Sequence, residues 1–238
     1  MADYDMKYSA TPNTEARAGY NMGLRKHMLN VYNYMASGVL LTGIVSLWLS
    51  TNPEMIYAAM SGGTGFLFML APLAFVMVMS FGVNRFSASA LKGIFFAFAA
   101  VMGVSISTIF LTYTTESIAS TFFVTAAAFG ALSLYGYTTK KDLSGWGTFL
   151  FMGLIGIIIA SIVNIFLGSS MMAFIINALG VLIFAGMTAY DTQRLKSEYH
   201  QLAGSGFLGK AAIMGALNLY LNFINLFLFL LSFLGNRE

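Results

Sequence analysis

Seven apolar runs, none of which contains a charged side chain, dominate this chain of 238 residues. Each run has about 20 residues, the length that an α-helix needs to cross the hydrocarbon core of a bilayer. Only 9% of the residues are charged, against about 25% in an ordinary soluble domain, so much of the surface must face lipid. The runs are continuous rather than alternating, which favours helices over the strands of a barrel. We therefore predict an all-α integral membrane protein with seven transmembrane helices, at residues 31–49, 64–83, 93–112, 118–137, 147–167, 171–190 and 212–234.

The basic residues indicate how these helices are oriented. Of the 12 Lys and Arg residues, all but Arg237 lie in the amino-terminal tail or in the second, fourth and sixth connections. Because cytoplasmic loops carry the excess of Lys and Arg, this pattern predicts a cytoplasmic amino terminus and an outer carboxy terminus. The predicted organisation is a cytoplasmic tail over residues 1–30, a membrane domain over 31–234 and a short outer tail over 235–238. We expect no cleaved signal peptide, because the tail contains acidic residues and no apolar core.

Composition argues against several function classes. The formal net charge of +3 is too small to indicate a nucleic-acid partner. The chain has no cysteine and only two histidines, His27 and His200, so it lacks the ligands of a zinc site. Both histidines lie outside the predicted helices, which leaves no buried imidazole base for a serine nucleophile. We therefore expect neither an enzyme nor a resident cofactor.

Small residues and a proline give expectations about packing. The Gly-Gly-Thr-Gly run at residues 62–65 predicts a turn at the entrance of the second helix. Pro72 predicts a kink in that helix, because proline removes a backbone donor. Ala99, Gly103 and Ser107 recur every four residues, a spacing typical of a helix face packed closely against a neighbour.

Polar side chains inside the last two predicted helices carry the functional signal. One stripe lies on a single face of the sixth helix and ends in a carboxylate, and the other follows an i, i+4, i+7 pattern on the seventh. The stripes consist of Asn177, Gly180, Thr188 and Asp191, and of Asn218, Asn222 and Asn225. Asn33 and Asn164 are further candidates. Each amide alone could simply bond a neighbouring helix, at about 0.6 kcal/mol. The faces of Asp191 and Asn222 together favour cation or proton handling, because intramembrane carboxylates mark ion pathways.

Three segments resemble a known family: SLYGYTTKKDLS at residues 133–144, AYDTQ at 189–193 and LYLNFINLF at 219–227. Together they are similar to the Bax-inhibitor-1, or transmembrane Bax inhibitor motif, family, over residues 20–235. The resemblance implies a seven-helix fold. The charge pattern and the basic connection after Thr138 indicate a bacterial member, located in the cell inner membrane. For some members the resemblance also implies a pH-sensitive calcium leak controlled by two facing aspartates on the last two helices. Bacterial relatives are further linked to modulation of a membrane-anchored ATP-dependent protease.

Asp191 matches the first aspartate of that pair, whereas Asn222 stands at the position expected for the second. Two close carboxylates share a proton and titrate together, which one carboxylate facing an amide cannot do. The amide can still donate a hydrogen bond to Asp191 or offer its oxygen to a hard cation. We therefore expect a weaker calcium affinity and a flatter pH response than the resemblance implies.

Two functional hypotheses follow. In the first, the chain is a calcium-leak or stress-modulating membrane protein in which Asp191 binds the ion or controls the gate, assisted by Asn222 and Asn218. Calcium is then a transported ion rather than a cofactor. An ion pair from Asp191 to a basic residue of the following segment, which contains Arg194 and Lys196, would form an inner latch. In the second, the chain is an interaction protein whose cytoplasmic tail and basic connections dock onto a membrane protease.

Overall fold

The computed structural model describes residues 14–236, with side chains from residue 21 onward, and consists of α-helices joined by short connections. The helices are α1 Thr14–Ser50, α2 Pro53–Met60, α3 Gly62–Gly82, α4 Ala88–Ile106, α5 Thr115–Thr138, α6 Ser144–Leu167, α7 Ser170–Leu202 and α8 Leu208–Leu234, with a 3-10 turn at Ser107–Leu111 after α4. All except α2 are long and apolar enough to cross a membrane. The prediction of seven transmembrane helices is confirmed.

α1 and α7 extend furthest beyond their apolar runs, both at the end of the bundle where the α7–α8 connection lies. α1 begins at Thr14, so the described part of the predicted 1–30 tail is continuous with the first spanning helix. α7 continues to Leu202, and Leu195 and Tyr199 on its inner face stay buried. The inner face of α7 therefore remains apolar beyond the point where charged residues on its other side end the apolar run in the sequence. Residues 1–13 and 237–238 of the two predicted tails lie outside the described residues.

α8 is the central helix of the bundle. Half of its spanning window is buried, against 11% for α3 and α6. It packs against α1, α4, α5 and α7, whereas α6 packs mainly against α7. The hydroxyl of Tyr220 donates to Thr42 Oγ1 at 2.6 Å, and Thr42 in turn donates to the carbonyl of Ala99 at 2.7 Å. This buried chain of hydrogen bonds joins α8, α1 and α4.

The small-residue face predicted on the third spanning helix is confirmed as a packing face. Ala99, Gly103 and Ser107 are all buried, and α4 packs extensively against α1. A Cβ atom added to Gly103 would lie 2.8 Å from the carbonyl oxygen of Thr42. The missing side chain therefore lets the two backbones approach closely.

α3 is a continuous helix although it contains glycines at its start and a proline in its middle. The predicted turn at residues 62–65 is wrong, because α3 already begins at Gly62, whose φ of 56° glycine adopts easily. The helix also passes through Pro72, which has no N–H for the carbonyl of Phe68. Ser105 of α4 supplies the missing donor, with its Oγ 2.6 Å from that carbonyl oxygen. The break in the ladder is thereby repaired from a neighbouring helix.

The connection between α5 and α6 is fixed to α7 by one side chain. Gln193 accepts a hydrogen bond from the backbone N–H of Leu143 and donates one to the carbonyl of Lys141, both at 2.8 Å. Asp142 accepts a hydrogen bond from the N–H of Ser144 at 2.9 Å, at the start of α6. Hydrogen bonds from the side chain and backbone of Ser144 hold the pKa of Asp142 below its ordinary value. This connection therefore holds α6 at the end of α7 that carries the candidate site.

Candidate functional site

Asp191 lies on the inner face of α7 and is only 4% exposed. The neighbouring threonine hydroxyls do not donate to its carboxylate. Thr188 donates to the carbonyl of Phe184 and Thr192 to that of Thr188, both at 2.8 Å. Such bonds within one helix satisfy the hydroxyl groups locally. The partners of the carboxylate therefore come from elsewhere.

Both oxygens of the Asp191 carboxylate contact a neighbouring side chain. Asn222 Nδ2, on α8, donates to Oδ2 at 2.7 Å, and Arg194 Nη1, one turn further along α7, lies 3.3 Å from Oδ1. Arg194 Nε lies 3.2 Å from Glu198 Oε1, so the guanidinium is shared between two carboxylates. The two predicted polar faces thus meet at Asp191 and Asn222, and the conjectured ion pair is made by Arg194.

A cleft of about 540 Å³ opens beside this pair, between α6 and α8. One wall comes from α6 and is apolar apart from Ser161; it includes Leu154, Ile158 and Ile162. The other walls carry all the strongly polar side chains of the cleft. These are Asp191, Arg194, Asn218, Asn222 and Asn225. Because α6 packs mainly against α7, its side toward α8 is left apart, and the cleft follows from that spacing.

The other predicted amides have different places. Asn218 lines the cleft one turn before Asn222. Asn225 also lines it, although its Nδ2 donates to the carbonyl of Leu221 on its own helix at 2.8 Å. Asn177 lies away from the cleft, and its Nδ2 donates to Ser232 Oγ at 2.8 Å. The polar stripe on α7 therefore has two parts: Asp191 belongs to the site, and Asn177 forms an ordinary hydrogen bond between helices.

The two further candidate amides do not line the cleft. Asn33 is exposed on α1. Asn164 Oδ1 accepts a hydrogen bond from the N–H of Ser169 at 3.1 Å, which fixes the connection between α6 and α7. Both belong to the surface and connections of the bundle rather than to the site.

The structure places His27 differently from the prediction. It was predicted to lie outside the spanning helices, but it is 5% exposed inside α1 and its ring centroid lies 5.4 Å from that of Tyr199. The first spanning helix starts before the apolar run because Arg25 and Lys26 occupy the exposed face while His27 turns inward. His200 also lies within a long helix, near the end of α7, but it is exposed.

The donor set of the cleft suits a passing cation better than a resident one. Calcium takes about 6–8 oxygen ligands, several of them carboxylate oxygens. The cleft offers one carboxylate, that of Asp191, and the amide oxygens of its asparagines. Among the side chains that the structure describes, from residue 21 to residue 236, no three or more His, Cys, Asp or Glu are grouped to hold a metal ion. A cation that reaches Asp191 must also compete with Arg194.

The sequence gives Arg194 as a candidate partner of Asp191 but does not separate it from Lys196, which lies in the same segment. The available signal was its i, i+3 spacing from Asp191 and i, i+4 spacing from Glu198, which put all three on one side of a helix. The α6 wall of the cleft could not be predicted in this way, because no pattern in the α6 sequence indicates which face of the helix lies toward α8.

The fold and the site define a class: a seven-helix membrane bundle in which the last two helices share a buried carboxylate–amide pair. This chain belongs to the Bax inhibitor-1 family. A family model described as inhibitor of apoptosis-promoting Bax1 matches residues 24–238.

Bacterial relatives are similar over nearly the whole chain. A protein of Caulobacter vibrioides is 45% identical, with all of both chains covered. Protein RP147 of Rickettsia prowazekii is 43% identical, again with both chains fully covered. The inner membrane protein YbhL of Escherichia coli is 45% identical, over 95% of this chain and 98% of YbhL.

Proposed function

We propose that this protein is a multi-pass inner-membrane protein that conducts cations past Asp191, with calcium as the ion that the family resemblance implies. The location is supported by the seven apolar helices and by the name of the Escherichia coli relative. The single observation that carries the proposal is the pairing of one buried carboxylate with a neutral donor, Asn222, on one oxygen and a cation, Arg194, on the other.

The two partners of Asp191 have different roles in this proposal. Asn222 belongs to the central helix, is buried, and orients the carboxylate through a short hydrogen bond. The Arg194 side chain is 36% exposed, against 6% for that of Asp191, and sits on a flexible stem. A metal cation in the cleft and the guanidinium compete for the same negative charge. Arg194 therefore acts as a tethered competitor that closes the site.

Glu198 gives the displaced Arg194 a second place to bind. It already lies 3.2 Å from Arg194 Nε, nearer than Asp191 to the α7–α8 connection. When a cation occupies Asp191, the guanidinium keeps an acidic partner and does not become an unpaired charge inside the bundle. Opening thus replaces the Asp191–Arg194 pair by a contact between Asp191 and the cation, while the Arg194–Glu198 pair remains.

The pH response follows from the presence of a single carboxylate. Asp191 and Asn222 share no proton, so cation flux should change little between about pH 6 and pH 8. Asn222→Asp places a second carboxylate at hydrogen-bonding distance from the first, and the pair then titrates as a unit. This variant should therefore gain a pH-dependent flux.

Calcium flux into liposomes that contain the purified full chain tests the proposal. The matched control is Asn225→Asp, which adds the same charge to the same cleft at a position whose amide bonds its own helix. We expect flux from the wild type, a steeper pH dependence for Asn222→Asp and none of that steepening for the control. Flux equal to that of empty liposomes at every pH, for both the wild type and Asn222→Asp, would overturn the proposal.

The alternative function is docking onto a membrane-bound ATP-dependent protease. The observation that favours it is a set of exposed basic side chains at one end of the bundle: Arg25, Lys26, Arg85, Lys92, Lys140 and Lys141. Lys196 and Lys210 do not belong to this set, because their Nζ atoms donate to the carbonyls of Tyr137 and Val83 at 3.0 Å.

A crosslinked pull-down from membranes tests this alternative. We expect the protease to be recovered with the wild type, and to be lost when residues 1–25 are deleted or when Lys140 and Lys141 are replaced by Gln. The matched control is Lys196→Gln, which removes a basic residue that bonds within the bundle. If no protease is recovered and the deletion leaves substrate turnover unchanged, the docking hypothesis fails.

A further inference from the structure

A groove runs along the lipid-facing surface between α1 and α5. These two helices both pack against α7 and α8 but make little contact with each other. Two cavities lie in the groove, one of about 450 Å³ near the basic end of the bundle and one of about 330 Å³ toward the opposite end. The groove is separate from the Asp191 cleft, which lies between α6 and α8.

Ser133 presents an unsatisfied hydroxyl to the cavity at the basic end. The residue is 5% exposed, and its Oγ has no hydrogen-bond partner among the described residues. On the same helix, Thr125 and Thr138 donate to the carbonyls four residues earlier, at 2.7 Å each. Ser133 makes no such bond, and a buried hydroxyl without a partner is costly. A ligand oxygen in the cavity would satisfy it.

Arg25 lies at the mouth of the same cavity. It is exposed and forms no ion pair with any residue in the described part of the chain. Tyr32 and Tyr137 line the walls, and the ammonium of Lys196 lies 5.2 Å from the ring centroid of Tyr137. The mouth of the groove is therefore cationic and carries phenolic side chains, a combination that suits an anionic group at the membrane surface.

Beyond this mouth the groove becomes apolar. Met28, Leu29 and Phe129 line the first cavity, and the second is lined almost entirely by apolar side chains, including Phe122 and Phe227. Arg25 and Val39, at the near side of the second cavity, are 14 helical residues apart, or about 21 Å at about 1.5 Å per residue. One leaflet of the hydrocarbon core is about 15 Å thick. An acyl chain whose head is at Arg25 thus extends along the groove toward the second cavity.

We propose that the α1–α5 groove binds an anionic phospholipid, with its phosphate at Arg25, a glycerol or ester oxygen at Ser133 and an acyl chain along Leu29 and Phe129. The lipid would come from the leaflet at the basic end of the bundle. It would also fill the space between two helices that do not pack against each other, and so stabilise α1 and α5 relative to α8.

Native mass spectrometry of the purified full chain in detergent, titrated with phosphatidylglycerol or phosphatidylcholine, tests this proposal. We expect tighter binding of phosphatidylglycerol, and about fivefold weaker binding for Arg25→Gln, since one basic residue near an anionic headgroup contributes about that factor. Lys26→Gln is the matched control, because Lys26 is adjacent and exposed but does not line this cavity. Its affinity should be unchanged.

A second pair of variants tests the groove itself. Gly130 lines the cavity and has open space where a Cβ would lie, so Gly130→Leu fills the groove without a clash in the helix. Gly156→Leu is its control, at another exposed helical glycine with open space but outside the groove. Gly130→Leu should lose the bound lipid, and Gly156→Leu should retain it.

Three results would overturn the proposal. The first is equal affinity for the two lipids. The second is unchanged phosphatidylglycerol binding in both Arg25→Gln and Gly130→Leu. The third is displacement of the lipid by millimolar inorganic phosphate, which would assign the site to a free phosphate rather than to a lipid.

Discussion

Asn222 and Asp191, 31 positions apart on successive helices, share a 2.7 Å hydrogen bond inside the membrane bundle. The amide stands where the family resemblance implies a second aspartate. Only one negative charge is then buried at this place, and Arg194 balances it from the same helix as Asp191. The pair therefore joins α7 to α8 and orients the carboxylate.

The Asn222 hydrogen bond should contribute measurably to stability. Asn222→Ala removes a donor to an ionised carboxylate, and we expect a loss of about 1.5–3 kcal/mol in the free energy of unfolding. In an Asp191→Asn background the same substitution should cost less, because the acceptor is no longer charged. Unfolding in mixed micelles measures all four proteins of this double-mutant cycle. Equal costs in the two backgrounds would contradict the assigned contact.

The contact between Ser105 and the carbonyl of Phe68 makes a second prediction. Ser105→Ala leaves the carbonyl opposite Pro72 without a donor, at a cost of about 0.6–2 kcal/mol in unfolding free energy. In a Pro72→Ala background the N–H of residue 72 can reach that carbonyl, so the same substitution should cost less. An identical loss in both backgrounds would show that Ser105 does not replace the missing proline donor.

The buried chain of Tyr220, Thr42 and Ala99 predicts an order of effects. Tyr220→Phe removes one hydroxyl and leaves Thr42 bonded to Ala99, at a cost of about 0.5–1.5 kcal/mol. Thr42→Val leaves the hydroxyl of Tyr220 buried without a partner, which costs about 1–3 kcal/mol. The double variant should lose less than the sum of the two, since it leaves no orphaned hydroxyl. Thermal unfolding in detergent checks this order, which the reverse ranking would contradict.

The class of the fold and the number of helices could be predicted because both depend on local sequence. A charge-free run of about 20 residues has few stable places other than a membrane. The ends of α1 and α7 could not be predicted in the same way. Near the start of α1, Arg25 and Lys26 are exposed while His27 is buried on the inner face. The mean hydropathy of this segment is therefore low, although one side of the helix remains buried.

The candidate site could be predicted in part. Helical periodicity placed Asp191 and Asn222 on facing stripes of consecutive helices, and these do meet. The same periodicity grouped Asn177 with Asp191, although Asn177 bonds Ser232 and does not line the cleft. The cleft itself depends on which neighbour α6 packs against, which is a tertiary property that periodicity does not contain.

Calcium flux through Asp191→Asn and Arg194→Gln, measured beside the wild type at one pH in the same liposomes, tests the central proposal most directly. If Asp191 receives the cation and Arg194 competes for it, Asp191→Asn should abolish the flux and Arg194→Gln should raise it several-fold. Lys196→Gln is the control for the loss of a positive charge at the same end of α7, because its Nζ donates to the carbonyl of Tyr137 and it does not line the cleft; this variant should leave the flux unchanged. A flux that is the same for Asp191→Asn and for the wild type would contradict the proposal.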